Sequence, residues 1–193
     1  MNEWQTTKVA EIICMIKDDD LRFVAETEVE DLPEYFWHVP ASSSGKYHPS
    51  YALGEGGLFR HTLAACKIAI DLFRAYPFTE IEQDRILLAL LLHDGRKQGE
   101  EDKGAEHTVF EHPVLMEQYL LEKYVYGGRK NEFTHNMCMV ADSIASHMGR
   151  WTTSDYSEII LPIPYGDEAR FVHLCDYLAS RKDIEVKLDD DCT

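Results

Sequence analysis

The sequence predicts an all-α protein, a single helical bundle. Apolar residues recur at helical spacing in several segments, no segment sustains the period-two alternation of a half-buried strand, and no internal repeat is visible. Residues 4–17 carry Val9, Ile12, Ile13 and Ile16 on one helical face. Residues 58–75 form a second amphipathic segment, with Leu63, Ile68, Ile70, Leu72 and Phe73 apolar and Pro77 closing it. Thr79 followed three residues later by Glu82 reads as a capping box. It opens a helix through 86–92 that is apolar nearly all round, the pattern of a buried helix. Pro113 suits the first turn of a helix to about 124, with Gly127 and Gly128 ending it. Residues 131–148 and 168–182 make the last two helices, separated by an irregular stretch with Pro162 and Pro164. Residues 31–57, rich in Pro, Ser, Gly and aromatic residues, read as a long ordered loop. Loops of that length in a compact domain usually carry function, so this one is expected to frame a site.

Composition narrows the function. A chain of 193 residues with 45% hydrophobic content is expected to fold as one domain with one core: residues 1–30 as a helical extension packed on it, 31–185 as the domain proper, and 186–193 as a frayed acidic tail. The first ten residues lack the apolar region of a secretory signal, and the longest apolar run is far short of the roughly 20 residues a membrane span needs. A cytoplasmic protein with no membrane partner is expected. Cys14, Cys66, Cys138, Cys175 and Cys192 are an odd set with no C-x-x-C pair; the first four lie among apolar helical residues and read as reduced core thiols. Nineteen Lys and Arg against 35 Asp and Glu leave a formal charge of −16. Such a field repels duplex nucleic acid and favours a small ligand, and a small anion remains compatible because a divalent ion dominates its immediate surroundings. The sequence does not specify an oligomeric state.

His93 and Asp94 terminate the buried helix and place an imidazole and a carboxylate away from bulk water. An unpaired buried carboxylate is costly, and a divalent metal removes that cost. A His-Asp dipeptide occurs often by chance, but His61, His112, His147 and Asp176 each fall in a different predicted helix or helix end, as a bundle metal site requires.

In this order the residues resemble the H…HD…H…H…D pattern of binuclear members of the HD-domain superfamily of metal-dependent phosphohydrolases, over roughly residues 46–180. Flanking residues agree: Gly56-Gly57-Leu58-Phe59-Arg60-His61-Thr62, Leu92-His93-Asp94-Gly95-Arg96-Lys97 and Ser146-His147-Met148-Gly149 are similar to segments of that superfamily's exoribonuclease-like branch. The resemblance implies two divalent ions (Mn, Fe, Ni, Zn, Co or Mg). His61, His93, Asp94 and Asp176 would hold one, and Asp94, His112 and His147 the other, with Asp94 bridging. It implies a catalytic role for Asp94 and Lys97, Lys97 contacting phosphate, and hydrolysis of a phosphoester of a small nucleotide or short oligonucleotide. Lys46, His48, Arg60, Arg150 and Trp151 are further candidates for substrate binding, Trp151 by stacking on a base. Gly95-Arg96 and Arg60 depart from the family's pattern and add positive charge. A diiron oxygenase built on the same six ligands, and a nucleotide-binding module without catalysis, are the competing readings. His38, His107, His135 and His173 are expected to be structural.

Overall fold

The computed structural model describes residues 1–42, 45–102, 104–128, 131–184 and 186–188. Among these residues seven α-helices follow in order: α1 Glu3–Ile13, α2 Asp19–Glu30, α3 Gly57–Leu72, α4 Glu80–Leu92, α5 His112–Tyr124, α6 Glu132–Ala145 and α7 Asp167–Ala179. Among the described residues there is no strand, only one isolated bridge between Ser154 and Ser157. The all-α expectation holds. Among the described residues no helix is long and apolar enough to cross a membrane.

Local chemistry explains the helix boundaries. The carboxylate of Glu82 accepts from both the backbone N–H and the hydroxyl of Thr79, the predicted box at the start of α4. Asn131 caps α6 by accepting from the Thr134 N–H. The sequence reading did not single out α2, although Asp18 caps it by accepting from the Leu21 N–H. Its apolar residues are spread among acidic ones, and packing on α4 and α1 defines its inner face. The long loop holds two short 3-10 turns, Glu34–Trp37 and Ser50–Ala52.

Helix α4 occupies the centre, touching α2, α3, α6 and α7, which is why residues 86–92 are buried on every side. One continuous apolar cluster runs from Val9 in α1 to Ala179 in α7, so residues 1–30 share the core of the bundle. Arg85 crosses three helices. Its guanidinium donates bidentately to Glu168 of α7 at 2.8 and 2.7 Å and to Asn136 Oδ1 of α6 at 2.9 Å. Two of the expected core thiols need correction: Cys66 and Cys175 are buried, but Cys14 is exposed and Cys138 only partly buried. Cys14 sits just beyond α1, whose periodic face ends at Ile13. Cys192 and the rest of the acidic tail from 189 onward lie outside the described residues.

Candidate metal centre

The bundle converges its chemistry at one end. His93 caps the C-terminus of α4 and Asp94 follows it, His147 lies just past α6, and Asp176 is in the last turn of α7. His61 lies in the first turns of α3 and His112 opens α5, so those two helices bring their N-terminal ends to the same place. Five helices therefore deliver six side chains, His93, Asp94 and His147 from just past the ends of α4 and α6 and the other three from within α3, α5 and α7. All four histidines and Asp94 are at most 1% exposed, and the Asp176 side chain is 17% exposed.

The histidines share a device. Nδ1 of His93, His112 and His147 lies 2.7 Å from the backbone carbonyl three residues earlier: Leu90, Val109 and Ile144. A carbonyl only accepts, so in each ring Nδ1 carries the proton and, while the imidazole is neutral, Nε2 presents a lone pair to the centre. This is how metal-binding histidines are oriented. His112 Nε2 and His147 Nε2 stand 3.3 Å apart, and Asp94 Oδ1 lies 3.1 Å from the first and 3.6 Å from the second. His61 Nε2 is 3.0 Å from Asp176 Oδ1 and 3.8 Å from Asp94 Oδ2, while His93 Nε2 is 3.5 Å from Asp94 Oδ2 and 3.6 Å from Asp176 Oδ1. Asp94 thus faces all four imidazoles.

Electrostatics follow from this enclosure. Burial alone pushes the Asp94 carboxyl up, but Lys97, His93 and His112 together hold it well below the usual carboxylate range. Burial likewise opposes ionisation of Asp176, and the His61 and His93 imidazoles outweigh it. His147 is pushed down to about 3, chiefly by burial and then by His93 and His112, so it stays neutral. The ionised carboxylates and the neutral His147 are in the protonation states a cation needs, whereas Asp94 and Asp176 outweigh burial and push His93 up, so that a cation binding there displaces its proton. Asp94 Oδ1 and His93 Nε2 are buried without a hydrogen-bond partner of acceptable geometry. These unsatisfied acceptors and the nitrogen and oxygen donor set fit a divalent ion. Three groups place one ligand atom each within 4.8 Å of one another: His61-His93-Asp94, Asp94-His112-His147 and His93-His147-Asp176. The first two share Asp94, and the third joins them.

The centre opens into a cavity of about 460 Å³ lined by His61, His147, Asp176, Lys97, His48, Arg150 and Trp151 among others. Lys97 Nζ lies 2.5 Å from Asp94 Oδ2 at the cavity floor. His48 packs its ring 5.7 Å from that of His61 and is pushed down to about 4, first by burial and then by the charges around His61 and Lys97. Two expected substrate contacts do not line this cavity. Arg60 donates to the carbonyls of Tyr51 and Leu53 at 2.6 and 2.9 Å, because the helix start aims it back at the loop it braces. Lys46 is exposed, with its ammonium 5.1 Å over the Tyr47 ring. The added charge of Arg96 is also spent elsewhere, stacked 4.1 Å over the Tyr119 ring.

Sequence reasoning missed several residues. Tyr47, Met148, Tyr177, Ser180 and Arg181 line the cavity. Tyr177 and Arg181 were within reach of inference, since Tyr177 follows Asp176 directly and Arg181 lies four residues beyond Tyr177. Tyr35 gave no signal at all. Its hydroxyl donates to Gly99 O at 2.7 Å and accepts from the Gln98 N–H at 3.1 Å, holding the far end of the turn that carries His93, Asp94 and Lys97. His173 is structural, as expected: its Nδ1 donates to His147 O at 2.7 Å.

Comparison with curated proteins and with solved structures returns no match. The family model described as HD domain matches residues 58–181, well over half of the chain and the stretch that contains all six converging side chains. The chain belongs to the HD domain family, a superfamily of metal-dependent phosphohydrolases.

Proposed function

We propose that the protein hydrolyses a phosphoester of a small nucleotide or short oligonucleotide, using two divalent ions. His61, His93, Asp94 and Asp176 hold one ion in this reading, and Asp94, His112 and His147 the other. The observation that carries it is the cluster around Asp94 Oδ1. His112 and His147, with both Nδ1 protons committed to carbonyls, point Nε2 at each other across 3.3 Å and at the same carboxylate oxygen. Three acceptors facing one another in a dry interior repel unless a cation stands among them.

Divalent ions at such a site make water a competent nucleophile near neutral pH and offset the charge of phosphoryl oxygens. The chain's own residues do the rest. Asp94, facing all four imidazoles, supplies the negative charge common to both halves of the site. The carbonyl-anchored imidazoles hold their nitrogens without rotamer freedom. Lys97, 14% exposed and lining the cavity, would contact a non-bridging phosphate oxygen in this reading, with Arg150 as a second cation. These cations favour an anionic substrate over the oxygenase reading. Residues 31–185 would form the catalytic domain, with 1–30 packed against it.

The test is a screen for phosphate and nucleoside release across nucleotides with Mn²⁺, Ni²⁺, Co²⁺ and Mg²⁺, run beside Asp94→Ala. Activity and metal binding should both vanish in the variant. Retained turnover, or oxygen uptake by anaerobically purified iron-loaded protein, would overturn the assignment.

A further inference from the structure

One wall of the cavity carries a series of rings and cations. Arg150 lies 5.0 Å over the Trp151 ring. Trp151 stacks on Tyr177 with centroids 5.9 Å apart and planes 16° from parallel. Arg181 lies 4.5 Å over Tyr177 and 5.6 Å over Tyr47. All five residues line the same cavity as His61, His147 and Asp176.

The series is built. Ser180 Oγ accepts from Arg181 Nε at 3.2 Å and Nη2 at 2.9 Å while donating to Tyr177 O, which holds the guanidinium in the row. Tyr47 is drawn to the end of α7 because its carbonyl accepts from the Lys182 N–H at 2.9 Å, and Tyr51 ties the same loop to Ala179 O. Tyr177 follows Asp176 directly in α7, so the rings begin one residue from the metal centre. Trp151 and Tyr47 keep open surface, 41% and 54% exposed.

We infer that this wall is a nucleobase subsite, with Trp151 and Tyr47 offering ring faces to the base and Arg150 and Arg181 meeting the charge of its phosphate. The inference rests on the phosphohydrolase reading and specifies its substrate as one that carries a base. The chemistry of the wall favours such a substrate over a sugar phosphate. Along this row Ser180 is spent on the backbone and Arg181, leaving the two tyrosine hydroxyls and the Trp151 indole N–H as neutral polar groups beside the ring faces. Flat π faces bearing cations suit a ring joined to an anion, and stacking of this kind takes any base. A volume of about 460 Å³ is in the range of small-ligand sites, on the order of 300–1,000 Å³, and the formal charge of −16 disfavours a long polyanion. A mononucleotide satisfies both.

Trp151 provides the probe, since Trp37 is buried and Trp4 packs edge-on against Phe59 in the core. The experiment titrates the full chain with AMP, ribose 5-phosphate and adenosine, with and without Mn²⁺, following tryptophan emission and heat. AMP should bind about tenfold or more tightly than ribose 5-phosphate, and adenosine should quench emission. Trp151→Ala should erase the AMP preference, and Trp151→Phe should keep most of it. Equal affinity for AMP and ribose 5-phosphate, or a preference that survives Trp151→Ala, would overturn the subsite. A chain that binds no Mn²⁺ yet prefers AMP through Trp151 sinks the metal reading alone, so the two failures are separable.

Discussion

Replacing Tyr35 with Phe tests how the metal-bearing turn is held. The ring stays, with its buried packing against the loop around Gly104, and only the hydroxyl is removed. That hydroxyl accepts from the Gln98 N–H at 3.1 Å and donates to the Gly99 carbonyl at 2.7 Å, with the Gly95 carbonyl a longer 3.4 Å away. Each group left unsatisfied costs about 1–3 kcal/mol, and partial access to water at this turn puts the sum at about 2–3 kcal/mol. For a chain of this size each kcal/mol lowers Tm by roughly 2–4 °C, so a fall of about 4–12 °C is expected. The residues affected follow His93, Asp94 and Lys97 directly, and disturbing groups that orient metal ligands costs about 10- to 100-fold in metal affinity. Thermal unfolding of the metal-free protein and calorimetric titration with Mn²⁺ measure the two effects separately. A Tyr35→Phe variant within about 0.5 kcal/mol of wild type and equal to it in Mn²⁺ affinity would refute the reasoning.

Arg85→Met should destabilise by about 3–5 kcal/mol, because it strands the Glu168 carboxylate, 7% exposed, among α4, α6 and α7; the double variant with Glu168→Leu should recover most of the loss in urea unfolding. Gly149→Ala should weaken metal binding as well as stability, since Gly149 has φ +64° and a Cβ there would fall 2.2 Å from the His173 ring that supports the His147 carbonyl; an unchanged Mn²⁺ isotherm would count against this. Burial pushes the Cys66 thiol from 9.0 up to about 12, so the folded protein keeps a proton that the unfolded chain releases. Its contribution is complete below about pH 9 and is lost above it at about 1.4 kcal/mol per pH unit, and Cys66→Ala should show a correspondingly shallower alkaline decline in urea midpoint.

The amino-acid sequence alone determined the helical class, six of the seven described helices, the capping box at Thr79 and the six residues that meet at the centre. These are local or ordered signals: apolar spacing along one helix, a cap three residues from its partner, and short motifs whose order survives without knowledge of the fold. Only the tertiary structure decided where cations point and which distant segments brace the site. Arg60 sits beside His61 in sequence, yet its guanidinium turns to Tyr51 and Leu53, while Arg181, outside every motif, joins the cavity wall. Tyr35 reaches Gly99 across 64 residues, a contact with no periodicity to betray it. Side-chain direction depends on the surface each long, flexible group finds once the helices have packed, and that surface is assembled from segments far apart in the chain.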